Sequence, residues 1–289
     1  MEKLTKDWMS MPVLGSRHGA DVDVFVIYIH WLMALLFVGW FGYFCYALWR
    51  FSAKRNPKAD HVGVRSHAST WLEIAVAVIE AVLLIGFAIP LWAKQVDDYP
   101  SDEKSTVLRV VAEQFTWNSR LPGPDGKFGS QNMLYANSDN PLGYDLEDEA
   151  GKDDISPPLK DMRVPFETMD EDGDGQPDKH EDGEIKHKPV VIHLTSKDVI
   201  HSFKINTLRV CQDAIPGMSI PLHFEPTKTG RYLLTCAQLC GNGHAAMNGW
   251  FTVLDNNSKD EATGMGEWDA WADMHKPVAG VPSGGGGFE

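Results

Sequence analysis

Two long apolar runs near the start of the chain limit what it can fold into. VFVIYIHWLMALLFVGWFGYFCYALW, residues 24–49, and TWLEIAVAVIEAVLLIGFAIPLWA, residues 70–93, each exceed the roughly 20 residues a helix needs to cross the bilayer core. Backbone polar groups in lipid must be satisfied within the segment, so both runs are expected as helices. Between them, RFSAKRNPKADHVGVRSH sets Arg50, Lys54, Arg55, Lys58 and Arg65 against Asp60 alone, which puts this loop on the cytoplasmic side. A cleaved signal peptide competes for the first run, but the run starts late, is long, and has no small-residue cleavage site before the basic loop. Residues 24–94 are thus expected to form a transmembrane hairpin, with residues 1–23 and the rest of the chain outside.

The outer part reads as all-β. The run TVLRVVAEQFTWN alternates apolar and polar residues like one half-buried strand, and PVVIHLTS, SIPLHFEP, GRYLLTC and NGWFTVLD add further strands between turn residues such as DAIPGM and PTKTGR. Short antiparallel strands with this punctuation suggest a small sandwich or barrel over residues 95–255. The C-terminal tail, 256–289, contains EWDAWADMH, which places Trp268, Trp271 and Met274 on one face of a short helix as a packing element, and ends in a glycine-rich stretch expected to be disordered.

Charge is concentrated in one place. The net charge of −14 argues against a nucleic-acid partner. Residues 139–184 hold 17 acidic side chains against Lys152, Lys160, Arg163 and Lys179, so an acidic insertion, 139–187, carries nearly all of that charge. Within it, DEDGDGQPDKHE follows a calcium-loop pattern, with Asp170, Asp172, Asp174, Gln176, Asp178 and Glu181 at the ligand positions and Gly175 at the turn. Pro177 and the lack of flanking amphipathic helices favour the competing reading, a solvated acidic loop.

The chemistry of the chain lies in CAQLCGNGHAAM, residues 236–247. Cys236, Cys240, His244 and Met247 offer thiolate, imidazole and thioether donors at short intervals, and His201 in SKDVIHSF stands upstream where a sandwich brings it within reach. This soft set suits copper; a zinc site or a Cys236–Cys240 disulfide leaves the methionine and His201 unexplained. Cys45 and Cys211 have no motif partner and are expected to be buried free thiols.

The run LTSKDVIHSF, then DAIPG, then a strand, then CAQLCGNGHAAM, behind two membrane spans, resembles subunit II of cytochrome c oxidase, the CuA-containing subunit of haem-copper oxidases. The resemblance covers about residues 24–255 outside the acidic insertion and implies a cupredoxin-like Greek-key barrel. It also implies that Cys236 and Cys240 bridge two coppers, that His201 and His244 are terminal ligands, and that Met247 sulfur and the Gln238 carbonyl are weak axial ones. Family members usually have glutamate where this chain has Gln238, which puts a magnesium ion at the boundary with subunit I in doubt. They also have tryptophan, the electron entry point, where this chain has Phe115; Trp117 lies two residues on. Glu73 in WLEI matches the family glutamate near the mouth of a proton path, while Glu80 in the same run has no counterpart and is assigned to a contact with a neighbouring subunit.

The function so implied is that of the electron-entry subunit of a proton-pumping terminal oxidase. It would accept electrons from a cytochrome c and pass them to haem in subunit I, where oxygen is reduced to water. No CxxCH occurs in the sequence, so the donor is a separate protein. Other oxidase subunits and the lipid bilayer complete the partners, and the expected location is the inner (cytoplasmic) membrane, multi-pass, with the copper domain on the periplasmic or outer face. The alternatives are the CuA subunit of a nitric-oxide reductase and a membrane-tethered copper carrier.

Overall fold

The computed structural model describes residues 9–58, 61–63, 66–137, 140 and 142–275, and it divides into two compact units. The first eight residues of the N-terminal segment, Asp60 and Arg65 of the basic loop, Asp139 of the acidic stretch, and the glycine-rich tail lie outside the described residues.

One unit holds the two apolar runs as helices. Helix α1 spans Gly19–Arg50. The second run is α2, Ala68–Leu83, continued through one π-helical turn, Leu84–Ala88, into α3, Ile89–Asp97. Both segments are long and apolar enough to cross a membrane, and almost none of their surface is covered by protein. The first begins five residues and the second two residues before the apolar run that predicts it, because polar residues such as Asp21 and Ser69 extend the first turn without breaking it.

The other unit is, among the described residues, a sandwich of nine strands. They are β1 (Thr106–Glu113), β2 (Thr116–Arg120), β3 (Asp161–Phe166), β4 (Val190–Ser196), β5 (His201–Ile205), β6 (Val210–Ala214), β7 (Ile220–Phe224), β8 (Gly230–Cys236) and β9 (Asn248–Asp255). One sheet has the order β2-β1-β4-β7 and the other β3-β9-β8-β5-β6. Two pairings are parallel, β1 with β4 and β3 with β9, so the sheets are mixed rather than purely antiparallel. Alternate residues point inward, as in β1, where Leu108, Val110 and Ala112 are fully buried and Arg109 is exposed. They meet Phe203, Ile205, Leu234, Phe251 and Val253 from the facing sheet. Each such large side chain contributes about 1.5–3 kcal/mol on burial. Exposed ion pairs such as Lys259–Asp269 contribute about 0–1 kcal/mol, so the core and not the surface charge holds the sheets together.

Three sequence expectations change here. The run 106–118 is two strands and not one, because the chain reverses at Gln114 and Phe115 and pairs Glu113 with Thr116. The acidic stretch contains strand β3, whose Met162, Val164 and Pro165 are buried while Asp161 and Arg163 pair with each other at its rim. The C-terminal helix α4, Glu267–Met274, buries Trp271 and Ala272, but Met274 is exposed because the helix ends there.

The loop between β2 and β3 is pinned from beneath. Leu121 and Ile155 exchange backbone hydrogen bonds, and Arg120 forms a buried ion pair with Asp154. Asp154 Oδ2 also accepts from the Gly129 N–H at 2.9 Å, and the Arg120 guanidinium lies 4.0 Å from the centre of the Tyr144 ring.

The segment Pro12–Gly19 belongs to the sandwich unit. Gly15 N–H donates to Thr207 O, Arg17 N–H to Glu225 O, and Thr227 N–H to Gly15 O. The hydroxyl of Ser16, which is fully buried, donates to Leu208 O at 2.6 Å. Arg17 reaches Asp182 and Glu184 of the acidic hairpin. This short piece of chain acts as an added edge on the sheet domain.

Candidate metal centre

The sulfur and imidazole donors are brought together by strand pairing. Strand β5 begins at His201, and its Phe203 pairs with Cys236 at the end of β8. The following loop returns as β9 and carries Cys240, His244 in a 3₁₀ turn, and Met247. The Ala237 N–H donates to Ser202 O, which fixes the start of that loop against β5. Trp117, fully buried, donates its indole N–H to Met247 O at 3.3 Å and holds the far end.

The resulting cluster is tight. Cys236 Sγ and Cys240 Sγ are 3.9 Å apart, Cys240 Sγ is 3.5 Å from His244 Nδ1 and 3.7 Å from Met247 Sδ, and His201 Nδ1 is 3.1 Å from Met247 Sδ. The Gln238 carbonyl lies 3.1 Å from Cys236 Sγ. The donor atoms of His201, Cys236 and Cys240 lie within 4.8 Å of one another. A disulfide bond is about 2.0 Å long, so the two cysteines are free thiols, yet one ion at a metal–thiolate distance of about 2.3 Å can touch both. Burial, and then the neighbouring Cys236, push the Cys240 thiol up to about 11. Two thiols, two imidazoles, a thioether and a carbonyl fit a soft metal of the copper type.

The cluster has a closed side and an open side. His201, Cys236, Cys240 and Met247 are buried, His244 is half-buried, and Gln238 and Leu239 are exposed. Over the loop lies the ring of Phe115; a Cβ on Gly243 would stand 2.4 Å from it, so only glycine lets the loop pass beneath.

Side chains outside the ligand set frame it. His201 Nε2 is 2.8 Å from Asp198 Oδ1. Burial opposes ionisation of Asp198, but hydrogen bonds from His201 and from the Gln114 and Val199 backbone amides hold its carboxyl below the usual range. The Gln114 amide side chain donates to Cys240 O at 2.6 Å. Sequence reasoning missed Gln114 and Asp198; the only local signal was a carboxylate three residues ahead of His201.

The sequence profile for cytochrome c oxidase subunit II, periplasmic domain, matches residues 185–252, which include all six donors. The alternative cytochrome c oxidase subunit 2 of Bradyrhizobium diazoefficiens is 26% identical over 279 residues, covering 96% of this chain and 88% of the relative. The chain is thus similar to cytochrome c oxidase subunit II proteins, in the matched domain and along most of its length. Cytochrome c oxidase subunit 2 of Synechocystis sp. is 28% identical over 270 residues, covering 93% of this chain and 76% of that relative. Among solved structures, the periplasmic domain of subunit II of cytochrome oxidase of Bradyrhizobium japonicum is 23% identical, with a TM-score of 0.37, and covers 61% of this chain and 96% of that one. The matched profile describes a periplasmic domain, and in this chain the cupredoxin-like sandwich follows two helices long and apolar enough to cross a membrane.

The remaining sequence candidates fall elsewhere. Asp170, Asp172 and Asp174 converge with carboxylate oxygens within 4.8 Å, all exposed. Asp170 accepts from the Gly173, Asp174 and Gly175 amides, and Gly175 takes a φ of +81°, a conformation that favours glycine. Gln176 N–H donates to Asp174, and Asp178 accepts from the Glu171 N–H. Glu181 lies in the next turn and is not part of the group of three. Extended segments flank the loop, bridged at Thr168–His187 and Lys179–Ile185. Cys45 and Cys211 are free but exposed, contrary to the expectation of burial, because α1 is almost uncovered by protein around Cys45 and Cys211 is on the edge strand β6. Glu73 and Glu80 are exposed on α2.

Proposed function

We propose that this chain is the electron-entry subunit of a proton-pumping terminal oxidase, taking electrons from a cytochrome c and passing them toward haem in subunit I. The observation that carries this reading is the meeting of Cys236, Cys240, His201, His244 and Met247 at one buried point. Cys236, Cys240, His201, His244 and Met247 would hold copper there, which would supply one-electron redox chemistry. The protein's part is to keep that point rigid. His201 starts a strand, Cys236 ends one, Trp117 anchors Met247, and so the donors have little freedom to move when charge changes.

Phe115 covers the loop and is half-exposed, whereas Trp117 is fully buried. Phe115 is accordingly the surface through which electrons enter, and Trp117 supports the site from inside. Phe115→Ala should slow the electron-transfer burst from reduced cytochrome c while leaving the copper spectrum unchanged; an unchanged burst rate would remove Phe115 from the path.

The deciding experiment is copper analysis with electron paramagnetic resonance on the full-length, copper-loaded chain. Two coppers sharing one unpaired electron are expected. A single localised copper, or none, overturns the reading.

The proposed topology is two spans with the metal domain on the periplasmic or outer face of the inner membrane. It is supported by the single unit that Pro12–Gly19 forms with residues 100–275 on either side of two apolar helices, and by the basic loop between them.

The same proposal includes a calcium ion at Asp170, Asp172 and Asp174, with Asp178 and the Gln176 backbone completing an oxygen shell. Asp170→Asn with Asp172→Asn should abolish calcium uptake measured by equilibrium dialysis. Equal uptake by the double variant and the parent would argue against the site.

A further inference from the structure

We infer that Asp198 and Gln114 are positioning residues that set the imidazole of His201 and the Cys240 loop for the metal, an inference that rests on the copper reading above.

A carboxylate only accepts hydrogen bonds. Asp198 Oδ1 lies 2.8 Å from His201 Nε2, so Nε2 carries the ring proton and Nδ1 keeps its lone pair. Nδ1 is the atom 3.1 Å from Met247 Sδ, on the sulfur side of the ring. The imidazole itself is fully buried and is thereby fixed in both tautomer and direction.

Asp198 is held in turn. Its Oδ2 accepts from the Gln114 N–H at 2.7 Å and its Oδ1 from the Val199 N–H at 2.7 Å. The second of these is local to its own turn, but the first comes from the β1–β2 reversal, 84 residues away in sequence. From that same residue the side-chain amide reaches Cys240 O at 2.6 Å. One residue thus braces both halves of the centre, His201 through Asp198 and Cys240 directly. A carboxylate on the outer nitrogen makes an imidazole a stronger donor, and stronger donation favours the oxidised metal.

Two measurements test this in the full-length chain. In the metal-free protein, ¹⁵N NMR of histidine-labelled chains should show His201 as the Nε2–H tautomer, and Asp198→Ala should mix the two tautomers. In the copper-loaded protein, Asp198→Ala should raise the midpoint potential and weaken copper retention against a chelator by about 10- to 100-fold. Asp198→Asn, which keeps the acceptor but not the charge, should restore the tautomer and retention but not the potential. Gln114→Ala should loosen copper retention with the His201 tautomer unchanged.

An Asp198→Ala chain with the parent's tautomer overturns the inference, as does one with the parent's potential and copper retention. Absence of a two-copper signal in the parent would count against the copper reading alone, because the tautomer measurement needs no metal.

Discussion

Cys236→Ser in the intact oxidase is expected to abolish cytochrome c oxidation while the subunit still inserts and assembles. The substitution exchanges one sulfur for one oxygen at a position that is 8% exposed and leaves the β5–β8 pairing untouched. What it removes, on the proposed copper reading, is a soft thiolate ligand. A serine hydroxyl stays protonated and hard. Oxygen uptake with reduced cytochrome c should fall to background, while protease protection and subunit stoichiometry in the membrane stay at parental levels. His201→Ala should fail in the same assay but is less clean, since it also strips Asp198 of its partner. Normal turnover in Cys236→Ser would end the assignment.

The second large effect is on stability. Arg120→Met is expected to destabilise the sandwich by about 3–5 kcal/mol, because it strands the carboxylate of Asp154 in the interior. Asp154 is 1% exposed and Arg120 7% on their side chains, so water cannot replace the lost partner. The guanidinium also packs on Tyr144 and reaches Gly151 O, so the whole loop from Leu121 to Ile155 should loosen with it. At about 2–4 °C per kcal/mol for a domain of this size, the thermal midpoint should drop by roughly 10 °C. Combining Arg120→Met with Asp154→Leu should recover much of the loss, since two apolar side chains need no partner. A midpoint within 2 °C or so of the parent for the single variant would show that the pair is better solvated than its burial implies.

What the sequence revealed and what it hid follow one division. The membrane helices and strands β4, β7, β8 and β9 announce themselves through local hydropathy, and the ligand set through local spacing. The hairpin at Gln114 and Phe115 was hidden because neither residue is a turn former and the alternation runs straight through it. Strand β3 was hidden because its outward positions, Asp161 and Arg163, merge with the surrounding charge. Strands β5 and β6 were masked by polar residues such as Lys204, Gln212 and Asp213 on their open face. Parallel pairing of β1 with β4 and of β3 with β9 joins segments more than 80 residues apart, which no window of sequence contains. Asp198 and Gln114 were missed for the same reason, since their partners Gln114 and Cys240 lie 84 and 126 residues away.

The edge formed by Pro12–Gly19 imposes an order on synthesis. These residues leave the ribosome first, yet Ser16 waits for Leu208, 192 positions later, and Thr227 closes on Gly15 later still. Contacts of such span are slow to form, and on the proposed two-span topology they form only if both apolar runs have crossed the membrane, so that the two ends meet in the same compartment. A chain inserted with one span missing or reversed would keep its first residues on the wrong side and leave the sheet domain with an unpaired edge. Completion of that edge is therefore coupled, on the same topology, to correct insertion, and an edge left open is a site for pairing with other chains.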